Sequence, residues 1–288
     1  MSKSGMWIAR NWKDYELLDC GGGLRLERWG RYVLTRPDPV ALWEPEKPSL
    51  WQKSDAVYHR SASGGGSWEI SKLPPSWEIG YRDLRFRIKP MGFKHTGLFP
   101  EQAVNWDWIR DTLAAPPSGM RVLNLFSYTG GATVAAAAAG AEVTHVDAAR
   151  GIVQQARENA ALSGLADAPI RYITDDCRKF IAREARRGKT YDAVILDPPS
   201  YGRGANGEVW KLEDDLYPFL LDLRKLLSDR PRFVLLNSYT AGLSPAAGAY
   251  VMSAAFPESR VTSDEVGLPV VSTGRALPCG IAVRAEFS

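Results

Sequence analysis

Cysteine and histidine are scarce in this chain, three of each among 288 residues, and neither is grouped. Cys20, Cys177 and Cys279 are odd in number, far apart and free of any C-x-x-C spacing, which speaks against a disulfide framework and against a zinc site. A reducing cytoplasm and no bound metal are the expectations. His59, His95 and His145 are equally scattered and read as surface or hydrogen-bonded core residues rather than ligands or bases. Long apolar runs are missing too: the alanines at 135–139 are far short of the roughly 20 residues a membrane-spanning helix needs. No signal-peptide pattern opens the chain. At the turn into the Ala-rich helix a single glycine pair, Gly130-Gly131, stands in place of G-x-G-x-x-G, which together with Asp197-Pro198-Pro199-Ser200-Tyr201 counts against a nicotinamide-dependent dehydrogenase.

What is present is unevenly spread. Residues 1–94 hold 16 Lys and Arg against 11 Asp and Glu, whereas the remainder holds 20 against 22. Seven of the ten tryptophans, Trp7, Trp12, Trp29, Trp43, Trp51, Trp68 and Trp77, fall in the same basic part. Two readings stay open: exposed aromatics among cations that contact RNA, or bulky core filler under an ordinary solvated face. From Tyr15 to about Ile88, short alternating segments are broken by Gly21-Gly22-Gly23, Pro37, Pro39, Pro45, Pro48, Gly64-Gly65-Gly66 and Pro74-Pro75, which predicts strands and loops. A small β-rich domain over residues 1–91 follows, with Leu84–Lys89 as its final strand. Residues 99–113 read as a helix that hands over, after Pro116-Pro117, to a second domain over 92–288. There, helical spacing at 152–162, 178–187 and 212–227 alternates with short apolar runs. That alternation predicts an α/β fold with a mainly parallel sheet and right-handed crossovers.

Four signals at successive strand ends carry the chemistry. Val122–Phe126 is a short apolar run, and Ser127, Tyr128, Thr129, Gly130 and Gly131 turn the chain into the Ala-rich helix 132–139, leaving backbone that a ligand can approach closely. Asp147, followed by Ala148, ends the run from Glu142, at the spacing where an acid accepts the two hydroxyls of a ribose. Glu142, at the start of that run, belongs to the opposite edge. Arg171–Thr174 delivers Asp176 to the same edge, where a carboxylate accepts from an adenine amino group, with Cys177 packed nearby. Adjacent Asp175 and Asp176 point different ways, so only one of them is expected to face the base. Tyr191–Leu196 ends in Asp197, and Pro198 and Pro199 can neither continue a strand nor donate ladder bonds, so they expose carbonyls and the Asp197 side chain. Together these describe a nucleotide-like cofactor at the carboxyl edge of a parallel sheet with a reaction site beside it.

On these residues the chain resembles a class I S-adenosylmethionine (SAM) dependent methyltransferase. It is most similar to bacterial large-subunit ribosomal RNA methyltransferases that modify cytosine C5 or guanine N7. The resemblance rests on Leu123–Gly131, on Arg157-Glu158-Asn159-Ala160-Ala161-Leu162-Ser163-Gly164-Leu165 and on Asp197–Tyr201, and covers roughly residues 92–240. It implies a Rossmann-like sheet closed by an antiparallel hairpin from Arg260 to Ser288. It also implies SAM as cofactor, RNA as substrate, Asp176 rather than Asp175 facing the base, Tyr201 beside the acceptor, and Phe99 and Gln102 of the segment Thr96–Gln102 as cofactor contacts.

One departure bears on the acceptor. Cytosine-C5 enzymes of this type carry a nucleophilic Cys at the end of the fifth strand, where this chain reads Asn237-Ser238-Tyr239-Thr240 after Phe233–Leu236. A hydroxyl without an activating base is a much weaker nucleophile. Ser200 also separates Tyr201 from the second proline, unlike the usual exocyclic-amine enzymes. A ring nitrogen such as guanine N7 needs only orientation and a nearby negative field, so a ring or exocyclic nitrogen is favoured over C5. The loop Gly202–Gly207, with Arg203, Trp210 and Lys211, reads as a cover for the target base, and Arg183, Arg186 and Arg187 as a solvated helix face. Two alternatives remain: transfer to a protein or small molecule, or a SAM-binding RNA module without transfer.

Overall fold

The computed structural model describes residues 5–61, 65–92, 94–114, 119–203, 207 and 209–288. Pro116-Pro117, Gly64 and Gly204 to Asn206, singled out above, lie outside the described residues. The chain forms two compact units. Among the described residues, one comprises Met6–Val104 and Val266–Cys279, the other Gly5, Asn105–Glu265 and Gly280–Ser288. The division therefore falls between Val104 and Asn105 rather than after residue 91, and the smaller unit takes a second piece from near the C-terminus.

The smaller unit is built from strands. Its elements are β1 (Trp7–Ile8), β2 (Tyr15–Gly21), β3 (Leu24–Trp29), β4 (Tyr32–Pro37), β5 (Ala56–Arg60), β6 (Gly66–Ile70), β7 (Trp77–Tyr81) and β8 (Leu84–Ile88). The order β2-β3-β4-β5-β6 makes one sheet and β7-β8 a separate hairpin. β1 pairs in parallel with Val266 and Gly267. Of its seven tryptophans, Trp29 is fully buried and only Trp43 is exposed. Trp12, Trp43, Trp68 and Trp77 donate their indole N–H to the carbonyls of Pro100, Cys20, Met91 and Trp29, and Trp51 donates to Asp19 Oδ2. These are structural roles. These five indoles supply apolar bulk and also satisfy a backbone or carboxylate acceptor, as the core-filler alternative expects.

Beneath them, Glu27 lies fully buried between two cations. Arg36 grips it with Nε at 2.6 Å and Nη2 at 2.8 Å, Arg25 Nε stands at 3.5 Å, and the Tyr15 hydroxyl donates at 2.8 Å. Burial alone would raise the Glu27 pKa, but Arg25 and Arg36 outweigh it and hold the carboxyl down at about 2. Its folded pKa thus lies below its ordinary 4.5, so the stability it contributes is complete above that pH and drains away as the pH falls toward 2. Glu27→Gln is expected to cost about 3–5 kcal/mol, since it strands buried cations. The variant should also lose part of the wild-type decline in melting temperature between pH 5 and 2, which thermal melts across that range would measure.

The larger unit alternates helix and strand. A 3-10 turn, Pro100–Gln102, precedes α1 (Ala103–Ala114), so the expected helix over 99–113 starts four residues late, after the proline that cannot donate. Then follow β9 (Arg121–Leu125), α2 (Gly131–Ala138), β10 (Glu142–Asp147), α3 (Arg150–Leu162), β11 (Ile170–Thr174), α4 (Cys177–Arg186) and β12 (Ala193–Leu196). After these come β13 (Tyr201–Arg203), β14 (Val209–Lys211), α5 (Leu212–Arg224), β15 (Phe233–Ser238), α6 (Pro245–Ala255), β16 (Arg260–Pro269) and β17 (Ala276–Glu286). Helix α6 was not anticipated. Its start is nonetheless written in Ser244-Pro245, where the serine hydroxyl accepts from Ala247 N–H and the proline takes the first turn.

The sheet order β17-β15-β12-β9-β10-β11 is parallel through its last five members, with β17 antiparallel to β15 as the closing strand and β16 beyond it. β12 and β15 are buried along their whole length, as strands covered on both faces must be. From β9 the chain steps outward to β10 and β11, then returns to β12 on the other side of β9. That reversal opens a crevice at the carboxyl ends of β9 and β12, the place where open α/β sheets bind ligands.

Candidate active site

The loop after β9 is held in an unusual shape. Phe126 (φ 53°) and Tyr128 (φ 50°) share the left-handed region with Gly130 (φ 84°), conformations that side chains other than glycine adopt only under constraint. The constraint is visible. Phe126 N–H donates to Cys177 Sγ, Tyr128 N–H to Asp147 Oδ2 at 2.9 Å, and Asn159 Nδ2 to the Thr129 carbonyl at 2.9 Å. Ser127 Oγ bonds the carbonyls of Asn124 and Val146 and accepts from Val146 N–H, stitching the turn to β9 and β10. The Ser127 hydroxyl is thereby turned into the protein. Below the loop, buried His145 bonds Thr133 Oγ1, which also accepts from Asn124 Nδ2. Burial pushes His145 down to about 3, so it is a neutral core histidine, as its sequence context suggested.

Both glycines are required by closeness. A Cβ on Gly130 would lie 2.9 Å from Ala156 Cβ, and one on Gly131 would lie 2.6 Å from the Trp106 ring. Helix α2 begins with no side-chain cap on its first N–H groups, which leaves them for an anionic partner.

At the end of β10, Asp147 is half-buried. Burial raises its pKa, against the pull of the N–H groups of Ala149, Tyr128 and Ala148. Ala149 N–H reaches Oδ1 at 3.0 Å. A carboxylate offers about four lone-pair sites, and the two backbone N–H groups within hydrogen-bond distance, Tyr128 and Ala149, do not use them all. Asp176, one strand further, caps α4 through Oδ1 to Lys179 N–H at 3.0 Å, leaving its other oxygen. The neighbouring Asp175 is committed to Arg183 in an ion pair. Ala148 is exposed beside Asp147. Glu142 stands at the opposite end of β10.

Beyond β9, Asp197 N–H reaches the Leu125 carbonyl at 3.4 Å, which ties the Asp-Pro-Pro turn to the glycine loop. Pro198 is buried and Pro199 exposed. The Pro199 carbonyl, expected to be open, accepts from Trp210 Nε1 at 2.7 Å. Trp210 is itself buried against Phe126 and Phe219, so it anchors the turn and is no substrate support. The expected cover loop is a short hairpin of β13 and β14. Tyr201 on it is half exposed, with its hydroxyl bonded to Arg203 Nε. Lys211 pairs with Asp214. Ser200 and Thr240 share a hydrogen bond of 2.7 Å across the tips of β12 and β15, and the buried Ser238 hydroxyl accepts from Thr240 N–H.

Phe99 and Gln102 belong to the smaller unit, where Phe99 packs edge-on against His95 and Gln102 is buried at the end of the 3-10 turn. Among the described residues no group of three or more His, Cys, Asp and Glu is placed to hold a metal, and no helix is long and apolar enough to cross a membrane. Asn159, which clamps the loop, was assigned no role from sequence. Its signal was its place in the Glu158-Asn159-Ala160 stretch of the helix that faces the glycines.

Comparison with known proteins agrees with this geometry. A model of S-adenosylmethionine-dependent methyltransferases matches residues 54–249. The "Ribosomal RNA large subunit methyltransferase K/L" of Shewanella frigidimarina is 33% identical over 156 residues, 54% of this chain and 21% of that one. The chain thus spans about a fifth of the length of such relatives. Among solved structures, the SAM-dependent methyltransferase of Agrobacterium tumefaciens superposes with a TM-score of 0.93 at 38% identity, over 99% of this chain and 94% of that one. A Streptococcus mutans methyltransferase gives 0.76 at 19% identity, over 96% and 76%, a likeness of fold alone. With a constrained glycine loop, an acid at the end of β10 and an Asp-Pro-Pro turn at the end of β12 in one sheet, the chain belongs to the S-adenosylmethionine-dependent methyltransferase family.

Proposed function

We propose that the protein methylates a base of ribosomal RNA, at a ring or exocyclic nitrogen rather than at cytosine C5, and that it does so in the cytoplasm. The RNA class is supported by the identity to ribosomal RNA methyltransferases and by the basic balance of residues 1–94. The choice of nitrogen is carried by one observation, the state of the thiols and hydroxyls at the sheet edge. Cys177 is buried, its Sγ accepts from Phe126 N–H, and burial drives its pKa far above the ordinary thiol value, with the acids Asp147, Asp176 and Asp175 adding to the rise. Ser238 is buried and engaged.

SAM, when bound, supplies an electrophilic methyl group. In this reading Asp147 accepts the ribose hydroxyls and Asp176 the adenine amino group. The turn Phe126–Gly131 offers backbone N–H groups and close approach, with Tyr128, Thr129 and Ala148 lining it. Asp197 orients the acceptor and stabilises positive charge as it develops there, while Pro198 and Pro199 fix its direction and Tyr201 offers a ring for the target base. Alignment does most of the work in such a transfer.

Two experiments test this. Mass mapping of nucleosides in ribosomal RNA from cells with and without the gene should show one methylated nucleoside lost, and identical maps would reject the RNA substrate. Cys177→Ala should retain transfer with at most a changed cofactor affinity, since its Sγ also holds Phe126 N–H, and RNA carrying 5-fluorocytosine should form no denaturant-stable complex with the protein in the presence of SAM. A trapped adduct on any cysteine would restore cytosine C5.

A further inference from the structure

Three side chains far apart in the sequence form one hydrogen-bonded line at the carboxyl end of β15. Arg284 Nη2 donates to Asn105 Oδ1 at 2.8 Å, and Asn105 Nδ2 donates to Asn237 Oδ1 at 2.9 Å. All three are buried or nearly so, Asn105 at 1%, Asn237 at 4% and Arg284 at 9% exposure. The guanidinium lies 4.6 Å from the Trp108 ring centre, and Trp108 in turn meets Phe233 edge-on. Burial lowers the Arg284 pKa to about 10, against the pull of Glu286, so the group is a cation at neutral pH.

An asparagine amide has nearly the same shape either way round, and its partners decide which end is oxygen. Arginine only donates. It obliges Asn105 to turn its oxygen toward Arg284 and its nitrogen toward Asn237, and Asn237 must answer with its own oxygen. What Asn237 has left is its amide nitrogen. Among the described residues that nitrogen has no hydrogen-bond partner, and it is not one of the atoms sealed from water. Its place along the sheet edge is informative. Asp147 and Asp176 close β10 and β11 on one side of β9, whereas Asn237 is on β15, beyond the β12 strand that ends at Asp197. It therefore stands on the acceptor's half of the edge.

We propose that Asn237 is a specificity-determining residue. Its amide is a donor of fixed polarity for a ring nitrogen or carbonyl oxygen on the edge of the target base, and Arg284 and Asn105 are positioning residues that fix that polarity. The inference rests on the nucleobase-methyltransferase reading above. A base presenting an exocyclic amine at that point meets N–H against N–H and is rejected, which is how an unmatched polar group in a closed site discriminates.

Asn105→Asp tests the polarity with Asn237 itself unchanged. An aspartate at 105 still accepts from Arg284 but cannot donate to Asn237, whose amide then turns its nitrogen inward and its oxygen toward the ligand. Asn237→Ala removes the donor. Each variant is compared with the unaltered protein for SAM affinity by calorimetry and for kcat/KM on ribosomal RNA from cells lacking the gene. Both should lose about 10- to 100-fold in kcat/KM on RNA, the effect of one mismatched hydrogen bond in a closed site, with SAM affinity unchanged. Full kcat/KM in a folded Asn105→Asp protein overturns the inference. If that variant does not fold, Asn237→Ala decides: full transfer, or an equal loss of SAM affinity and transfer, overturns it. The unaltered protein is assayed first, and SAM binding without transfer to any RNA overturns the proposed function itself.

Discussion

Asp147→Ala is expected to weaken SAM binding by about 100-fold or more while the protein stays folded. Two charge-assisted hydrogen bonds to ribose hydroxyls are lost, each worth about 1.5–3 kcal/mol, and every 1.4 kcal/mol is tenfold in affinity. A second effect adds to the first. Asp147 Oδ2 is the acceptor for Tyr128 N–H, so its removal also releases one of the bonds that hold the loop in its left-handed conformation. Asp147→Asn should fall between the two, because an amide oxygen can still accept one of these bonds. Calorimetric titration decides the matter: wild-type affinity in a folded Asp147→Ala protein removes Asp147 from the cofactor site.

Asp197→Ala should do the opposite, leaving SAM affinity within about threefold of wild type while transfer falls by about 10²–10⁴, the range for a positioned acid or base at the reacting centre. The backbone bond from Asp197 N–H to Leu125 and the two prolines are untouched by this change, so the turn should persist. Single-turnover rates with SAM saturating would measure it. Equal losses in cofactor affinity and in rate would move Asp197 into the cofactor shell.

Much of the sheet was legible because its strands are buried on both faces and are written as continuous apolar runs. β9, β10, β11, β12 and β15 all fall within a residue or two of their expected bounds, as do α2, α3 and α4. The acids at their ends were legible for the same reason, since a charged residue closing an apolar run marks a strand's exit. What could not be read was which polar groups serve the protein itself. Ser127, Trp210 and the Pro199 carbonyl each looked available to a ligand, and each is engaged by a partner distant in sequence: Val146, Pro199 with Phe219, and Trp210. Such partnerships depend on register between strands and on helix faces, which a single sequence does not encode locally. The tryptophans of the smaller unit were open to two readings for the same reason. Whether an indole is wet or dry is decided by carbonyls many residues away.

The smaller unit is made from two separated stretches of chain, Met6–Val104 and Val266–Cys279. Ser272 Oγ bonds Asp19 Oδ1, Val271 N–H bonds the Leu17 carbonyl, and Trp7 and Ile8 have their ladder partners in Val266 and Gly267. During synthesis those partners emerge only after residues 105–265 have left the ribosome. The amino-terminal strands must therefore wait, incompletely paired, while the enzymatic half is made. This unit is complete only once the 266–279 segment has met strands made well before it, so the order in which the chain is made is not the order in which this unit is paired.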